Sequence, residues 1–484
     1  MKQIRWSLLA FALVLACCGG GASAQDQGEV KALRAQVAEM REQNAQMMGL
    51  LQDLQRKVDA NQKRSDTVIN KLGTGAGADV TPPKPHQPTP GKAASEENFL
   101  LGIVPKIWTL GNSKINFYGF LRLDTIYDDS SPNNPLLPFF IRSEDTEAGA
   151  GIRAETNNDS WNADVRLTRF GIDFEGGEME LLGNGKVGGK LEIDFDSGLG
   201  SESRAAPRIR HAYFTSKWSD FTVLTGQTWD TIAPIFPMVN DHFVMWNAGN
   251  LGDRRPQFRA SWEPALAGGK FSARASVGLS GAIQNIDRDA NGVLDGAQSG
   301  NPIYQARIGW AGPLWVEKQN LDIGFWGHYA QEEIDTAILD NEEFDSWSAG
   351  ADLTVPIIKD LFWKSEIWTG TNLPEVRGGI AQGINVAGEE IDAWGGWTEF
   401  SYRPWSWLLS GVGYALDNPD NDDLDFNFRT PGRKEANETY YVSNTFYPGA
   451  NVSIKLNYLH WRTQYDNLQD GVDNRFELVF QYNW

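Results

Sequence analysis

The last nine residues, Phe476-Glu477-Leu478-Val479-Phe480-Gln481-Tyr482-Asn483-Trp484, alternate apolar and mostly polar without a break and stop on an aromatic. Side chains alternate with period two along a strand, so Phe476, Leu478, Phe480, Tyr482 and Trp484 share one face while Glu477, Gln481 and Asn483 share the other. A wholly apolar face ending on an aromatic is what a barrel strand needs where it meets lipid and then the membrane interface, with water on its other side. An amphipathic edge strand of a soluble sandwich has the same local alternation. The rest of the chain decides between them.

After residue 24 no stretch approaches the roughly 18 to 20 apolar residues of a membrane-spanning helix, and the mean hydropathy is negative. Helical membrane proteins are therefore excluded. The 484 residues carry 50 glycines, 19 tryptophans and 12% aromatics, which fits one large sheet with tight turns and aromatic belts better than several soluble domains.

Residues 1–24 read as a secretory signal, with Lys2 and Arg5 as the charged start and Trp6 to Ala16 as the apolar core. Ala22-Ser23-Ala24 is the small-residue site that places cleavage between Ala24 and Gln25. Cys17 and Cys18 are the two cysteines, so that cleavage leaves a cysteine-free mature chain, and a lipoprotein cut before either cysteine is the alternative. The net charge of -20 becomes -22 once Lys2 and Arg5 are removed, which argues against nucleic acid as a partner.

Residues 25–72 carry an a/d seam of six heptads: Val30, Leu33, Val37, Met40, Asn44, Met47, Leu51, Leu54, Val58, Asn61, Ser65, Val68 and Leu72. This predicts a coiled coil about 65 Å long at 1.5 Å per residue. Its a-position Asn44 and its Val-a, Leu-d pairs lean towards two strands, and Met47 and Leu51 blur that preference. A glycine- and proline-rich linker follows over 73–113, where Pro82, Pro83, Pro85, Pro88 and Pro90 forbid helix.

From Lys114 to Trp484 the pattern predicts an all-β domain, a 16-stranded antiparallel transmembrane barrel. Connections after odd strands are long (128–162, 229–255, 283–300, 372–390, 417–435), and those after even strands are short, as at Trp218-Ser219, Arg403-Pro404 and Pro448-Gly449. The connection at 176–185 is longer than that rule wants. Short turns belong to the periplasmic side, so an even count puts both barrel ends, and the coil with them, in the periplasm of an outer membrane.

Parity sorts side chains into lipid-facing and inward sets, because only the inward face can carry charge at membrane depth. It turns Arg122 and Asp124, Arg169, Glu192 and Asp194, Arg259, Arg274 and Arg307 inward. The three arginines 259, 274 and 307 form a basic wall, which Asp322 and Asp352 would face across the lumen; locally paired charges are the alternative. Parity fails at Arg208, Arg210 and His211, which are read as an interface or loop edge. The connection from Thr231 to Arg255 is too apolar to stand in water, so it is expected to fold inside the barrel, narrow it, and carry Arg254 and Arg255 to the constriction. Packing against a neighbouring subunit is the other option.

Asp287, Asp289, Asn291 and Asp295 follow half of a calcium-loop pattern, with Gln298 where a bidentate glutamate is expected. A Ca2+ ion there, or an ordinary acidic hairpin loop, both fit. Residues 144–155 and 417–425 read as solvated loops. The five histidines lie far apart and no Ser-His-acid set is visible, so nothing supports an enzyme and no other cofactor is expected.

The runs Arg169-Phe170-Gly171-Ile172-Asp173-Phe174-Glu175, Leu191-Glu192-Ile193-Asp194-Phe195, Arg208-Ile209-Arg210-His211-Ala212-Tyr213, Gly226-Gln227-Thr228-Trp229-Asp230, Trp246-Asn247-Ala248-Gly249-Asn250 and Arg254-Arg255-Pro256-Gln257, in that order, resemble the DcaP-like porins. The resemblance implies homotrimers of sixteen-stranded barrels with a periplasmic helical bundle, passing small anionic solutes such as dicarboxylates. Two functions are then expected: an outer-membrane diffusion porin, or a structural envelope protein whose rod tethers the membrane to peptidoglycan.

Overall fold

The computed structural model describes residues 107–484 apart from 111–112, 137, 145–157, 181–182, 198–203, 240, 284–285, 336–342, 386 and 425–432. The signal with its Ala24–Gln25 cleavage point, the coiled coil and most of the linker lie outside the described residues.

Sixteen strands follow in sequence: β1 (Ser113–Asp128), β2 (Ser160–Asp164 continued by Arg169–Met179), β3 (Gly185–Asp194), β4 (Arg208–Trp218), β5 (Phe221–Trp229), β6 (Arg254–Trp262), β7 (Gly269–Gly278) and β8 (Ile303–Pro313). The second half is β9 (Asn320–Glu333), β10 (Glu343–Ile358), β11 (Leu361–Thr371), β12 (Asp392–Trp405), β13 (Leu408–Pro419), β14 (Lys434–Gly449), β15 (Val452–Tyr465) and β16 (Gly471–Asn483). Each pairs antiparallel with the next, and β16 closes onto β1 with Phe480 opposite Leu123, so the sheet is a closed barrel without edges. Two short ladders decorate it, Ile107–Leu110 against the start of β1 and Ala265–Leu266 within the β6–β7 turn.

The period-two pattern produces this wall because its two faces meet different media. Leu121, Phe258, Ile308, Phe325, Ile367, Phe400, Val412 and Phe476 are exposed on the outside, while their neighbours Arg122, Gln257, Arg307, Glu366, Glu399 and Glu477 are buried inside. Each outward side chain left in water would forgo about 1.5–3 kcal/mol, so only lipid makes this surface stable. Aromatics mark the rim of short turns: Trp405 and Trp407 stack at 5.1 Å, Trp407 lies 6.3 Å from Phe446, and Trp218 lies 6.2 Å from Phe221.

Long and short connections alternate as expected. The chain reverses at Ala450–Asn451, both with positive φ, two residues beyond Pro448-Gly449. Pro404 sits in a register shift near the end of β12, where its missing N–H costs no ladder bond. The apparent excess at 176–185 disappears because β2 runs on to Met179 through a register shift between Glu175 and Glu178. Asp417 is no part of a solvated loop: it lies in β13 and is fully buried.

Candidate functional site

The connection 230–253 folds into the barrel. Ile232, Val239, Met245, Trp246, Ala248 and Leu251 are all buried, and the loop backbone is hydrogen-bonded to the inner wall. The Ile235 N–H donates to Glu366 of β11 at 3.3 Å, the Met238 N–H to Glu399 of β12 at 2.8 Å, and Trp368 Nε1 of β11 to the Gly249 carbonyl at 2.8 Å. At Gly249, with φ +116, a Cβ would meet the Gly396 carbonyl of β12 at 2.4 Å; only glycine lets the loop press so closely on the strand.

Two ionic clasps hold the far end of the loop. Asp241 accepts from Lys455 Nζ of β15 at 2.6 Å and from Arg122 Nη2 of β1 at 2.9 Å. Burial would raise the Asp241 carboxyl, but Lys455 and Arg122 outweigh it and hold it well below the usual carboxylate range. His242 lies between Asp196 at 3.2 Å and Asp164 at 3.5 Å. Burial would lower the imidazole, but these carboxylates raise it to about 10, so the pocket favours positive charge.

A second connection, 372–391, also turns inward, which the sequence pattern did not announce. Leu373, Val376 and Ile380 are fully buried, Arg377 pairs with Asp253 at 2.8 Å, and the Gly252 N–H donates to the Val376 carbonyl at 2.8 Å. Part of the first long connection joins them: Phe139 stacks on Phe243 at 4.6 Å, and Ile141 packs with Trp461 and Leu459. Together these loops build a dry core against the inner faces of β8 to β15.

The arginines therefore fall into two groups. Arg255 is locked between Asp230 at 2.7 Å and Glu375 at 2.6 Å with 1% exposure, so it holds loops together and does not reach the constriction expected of it. Arg307 meets Asp352 at 2.5 Å and Asp322 at 3.2 Å on β10 and β9. These acids thus pair locally with Arg307 and do not face the basic wall across the lumen. The acids of the far wall are Glu366, Glu399 and Asp417, all buried beneath loop N–H groups. Arg122 is likewise taken by Asp124 and Asp241.

Others keep contact with water. Arg169 (22% exposed) stands 3.5 Å from Glu192, Arg208 (21%) 2.7 Å from Asp194, and Arg274 (33%) 2.8 Å from Glu263. Arg259 donates to Gln257 and to the Trp229 carbonyl, and meets no carboxylate among the described residues. Arg254 is buried, with its guanidinium 4.5 Å from the centre of the Trp229 ring and 3.5 Å from Asp253. A cavity of about 320 Å³ lies beneath the loop, between Pro234 and Ile235 on one side and Arg274, Arg307, Asp322 and Glu263 on the other.

Arg208 and Arg210 are inward residues that parity missed. The β3–β4 pairing shifts between Glu192 and Ile193: Ile193 faces Ile209 while Glu192 faces His211, leaving Arg210 as the extra residue of a β-bulge. Arg210 bonds Glu192 at 2.8 Å and Asp194 at 3.0 Å. The sequence held the signal: Ile209 is exposed, and Ala212 pairs with the exposed Leu191, so two outward positions stand an odd three apart.

In the acidic connection after β7, the Asn291 N–H donates to Asp287 and Asp289, both at 3.1 Å. Asp295 is buried and engaged by Arg288 Nη1 at 2.5 Å, and among the described residues the carboxylates of Asp287, Asp289 and Asp295 do not converge as the ligands of one ion would.

No family model matches this chain, and no curated protein matches it. Solved structures do. The outer membrane channel DcaP of Acinetobacter baumannii aligns with a TM-score of 0.60 and 16% identity, covering 78% of this chain and 99% of that one. An anion-selective porin from Comamonas acidovorans aligns at 0.48 and 10%, covering 77% and 100%, and OprB of Pseudomonas putida at 0.47 and 9%, covering 76% and 94%. The barrel has the fold of the DcaP channel.

Proposed function

We propose that the chain forms an outer-membrane channel for passive diffusion of small hydrophilic solutes, with preference for anions of the dicarboxylate type. The observation that carries this reading is the division of the lumen: loops fill the side of β8 to β15, and arginines that keep contact with water line β2, β4, β6 and β7. A dicarboxylate suits them because Arg259 and Arg274 lie on paired strands two register positions apart, a diagonal of roughly 7–8 Å between backbones. Binding there is weak, as throughput demands. Loop 230–253 sets the size limit, and the coiled coil over 25–72 joins three copies in the periplasm. The likeness to a known outer-membrane channel supports the same reading.

Planar-bilayer recordings in a salt gradient test it. Open channels with an anion-side reversal potential are expected. Barrels that pass no current would refute the channel, and a cation-side potential would refute the anion preference alone. Cross-linking of the mature chain into trimers, lost when 25–72 is removed, tests the coil.

A further inference from the structure

His242, Asp164 and Asp124 lie where the inward loop meets the walls of β2 and β1, and all three are buried. One donor atom from each falls within 4.8 Å of the other two. The Nε2 of His242 and the Oδ2 of Asp164 are both shut away from solvent, and neither has a hydrogen-bond partner among the described residues. They stand 3.5 Å apart, too far for the 2.7–2.9 Å contact of an imidazolium with a carboxylate. Two donors at about 2.1 Å from a tetrahedral metal ion are separated by about 3.4 Å. The spacing is that of ligands, not of a donor and its acceptor.

The other ring nitrogen completes the arrangement. His242 Nδ1 lies 3.2 Å from Asp196 Oδ2, so a proton on Nδ1 is held by a carboxylate and the Nε2 lone pair is directed towards Asp164. Asp124 already accepts from Arg122, and a carboxylate has lone pairs enough to serve a guanidinium and a metal together. We propose that His242, Asp164 and Asp124 form a site for a divalent transition-metal ion of the zinc type, with Asp196 as the residue that orients His242. One nitrogen and two oxygens are a donor set that zinc accepts, with its fourth position left to water. The ion rivets the tip of the inward loop to β1 and β2. This site stands apart from the acidic run at 287–295 and does not depend on the solute the channel passes.

The test uses the full mature chain in detergent, stripped with a chelator and titrated with zinc chloride by calorimetry, with metal content measured by mass spectrometry. One zinc per chain is expected, with release of a proton because metal and proton compete for the same lone pair. His242→Gln should weaken binding at least tenfold, and Asp196→Asn by roughly 10–100-fold. Heat-modifiable migration on gels shows that each variant still forms a barrel. No stoichiometric zinc in the wild type would overturn the site and leave an imidazolium between carboxylates in its place, and so would binding that His242→Gln leaves unchanged. Should that variant fail to fold, X-ray absorption on the wild-type complex decides: nitrogen plus oxygen ligands uphold the site, and oxygen ligands alone refute it.

Discussion

Replacing Asp241 with Asn should loosen the inward loop without opening the barrel. Asp241 makes charge-assisted bonds to Lys455 at 2.6 Å and Arg122 at 2.9 Å. Each such bond contributes about 1.5–3 kcal/mol when buried. Two facts reduce the total: Arg122 keeps Asp124 at 2.5 Å, and Asp241 and Lys455 are 22% and 20% exposed, so water screens part of the loss. The Lys455 ammonium falls back on the Met238 carbonyl at 3.4 Å. The net cost is about 2 kcal/mol, which multiplies the released-to-seated ratio of the loop roughly 30-fold. Single-channel recording reads this as a matching rise in time spent at a wider conductance level. Asp241→Asn combined with Lys455→Met should cost less than the sum of the two single changes, because both remove one interaction. A conductance record indistinguishable from wild type in Asp241→Asn would refute the clasp.

Deleting 233–247 removes the crossing segment and should raise single-channel conductance; unchanged conductance would show that the loop does not set the aperture. Arg255→Met removes the cation that the buried Asp230 and Glu375 share and should destabilise the loop assembly by about 3–5 kcal/mol, seen as a lower unfolding temperature, whereas ion selectivity should hardly move. Arg259→Glu reverses a charge that no carboxylate among the described residues pairs with: at about 8 Å in water each unit is worth ~0.5 kcal/mol, so two units felt oppositely by anion and cation should lower the anion-to-cation permeability ratio roughly fivefold after screening at about 0.1 M salt. A reversal potential equal to that of wild type counts against the role of Arg259. The depressed Asp241 carboxyl contributes to loop closure fully above its ordinary value of about 4 and loses that contribution as pH falls further. Wider conductance levels should therefore become commoner at pH 3 than at pH 5 in the wild type, and this increment should be absent in Asp241→Asn.

The barrel was readable because lipid imposes one rule on every strand, and that rule leaves its mark two residues at a time. The same rule hid Arg208 and Arg210, since one bulged residue reverses parity and makes a regular strand look like a loop edge. The partners of Arg307 depend on which strands lie side by side and on how far its side chain reaches, which is a property of register: Asp322 and Asp352 sit one and two strands away. The inward course of 230–253 was legible in its Ile, Phe, Met and Trp residues, which water would not hold. That of 372–391 was not, because its apolar residues, Leu373, Val376, Ile380, Ile384, Val386 and Ile391, are scattered among Gly, Arg, Gln and Glu, and Leu373 and Val376 are buried against both the inner wall and the loop 230–253. Arg255 looked available for the same reason, its two carboxylate partners being 25 and 120 residues away.

Fifteen of the sixteen strand junctions join neighbours in the chain, and only β16 to β1 must be made by segments from opposite ends of the domain. Asp241 grips Arg122 on one flank of that junction and Lys455 on the other, with β16 between them. A single loop carboxylate thus acts as an inner stitch beside the one seam that sequence neighbours do not make. The segment folded into the lumen is thereby fastened to the two ends of the wall at once, on either side of the place where they meet.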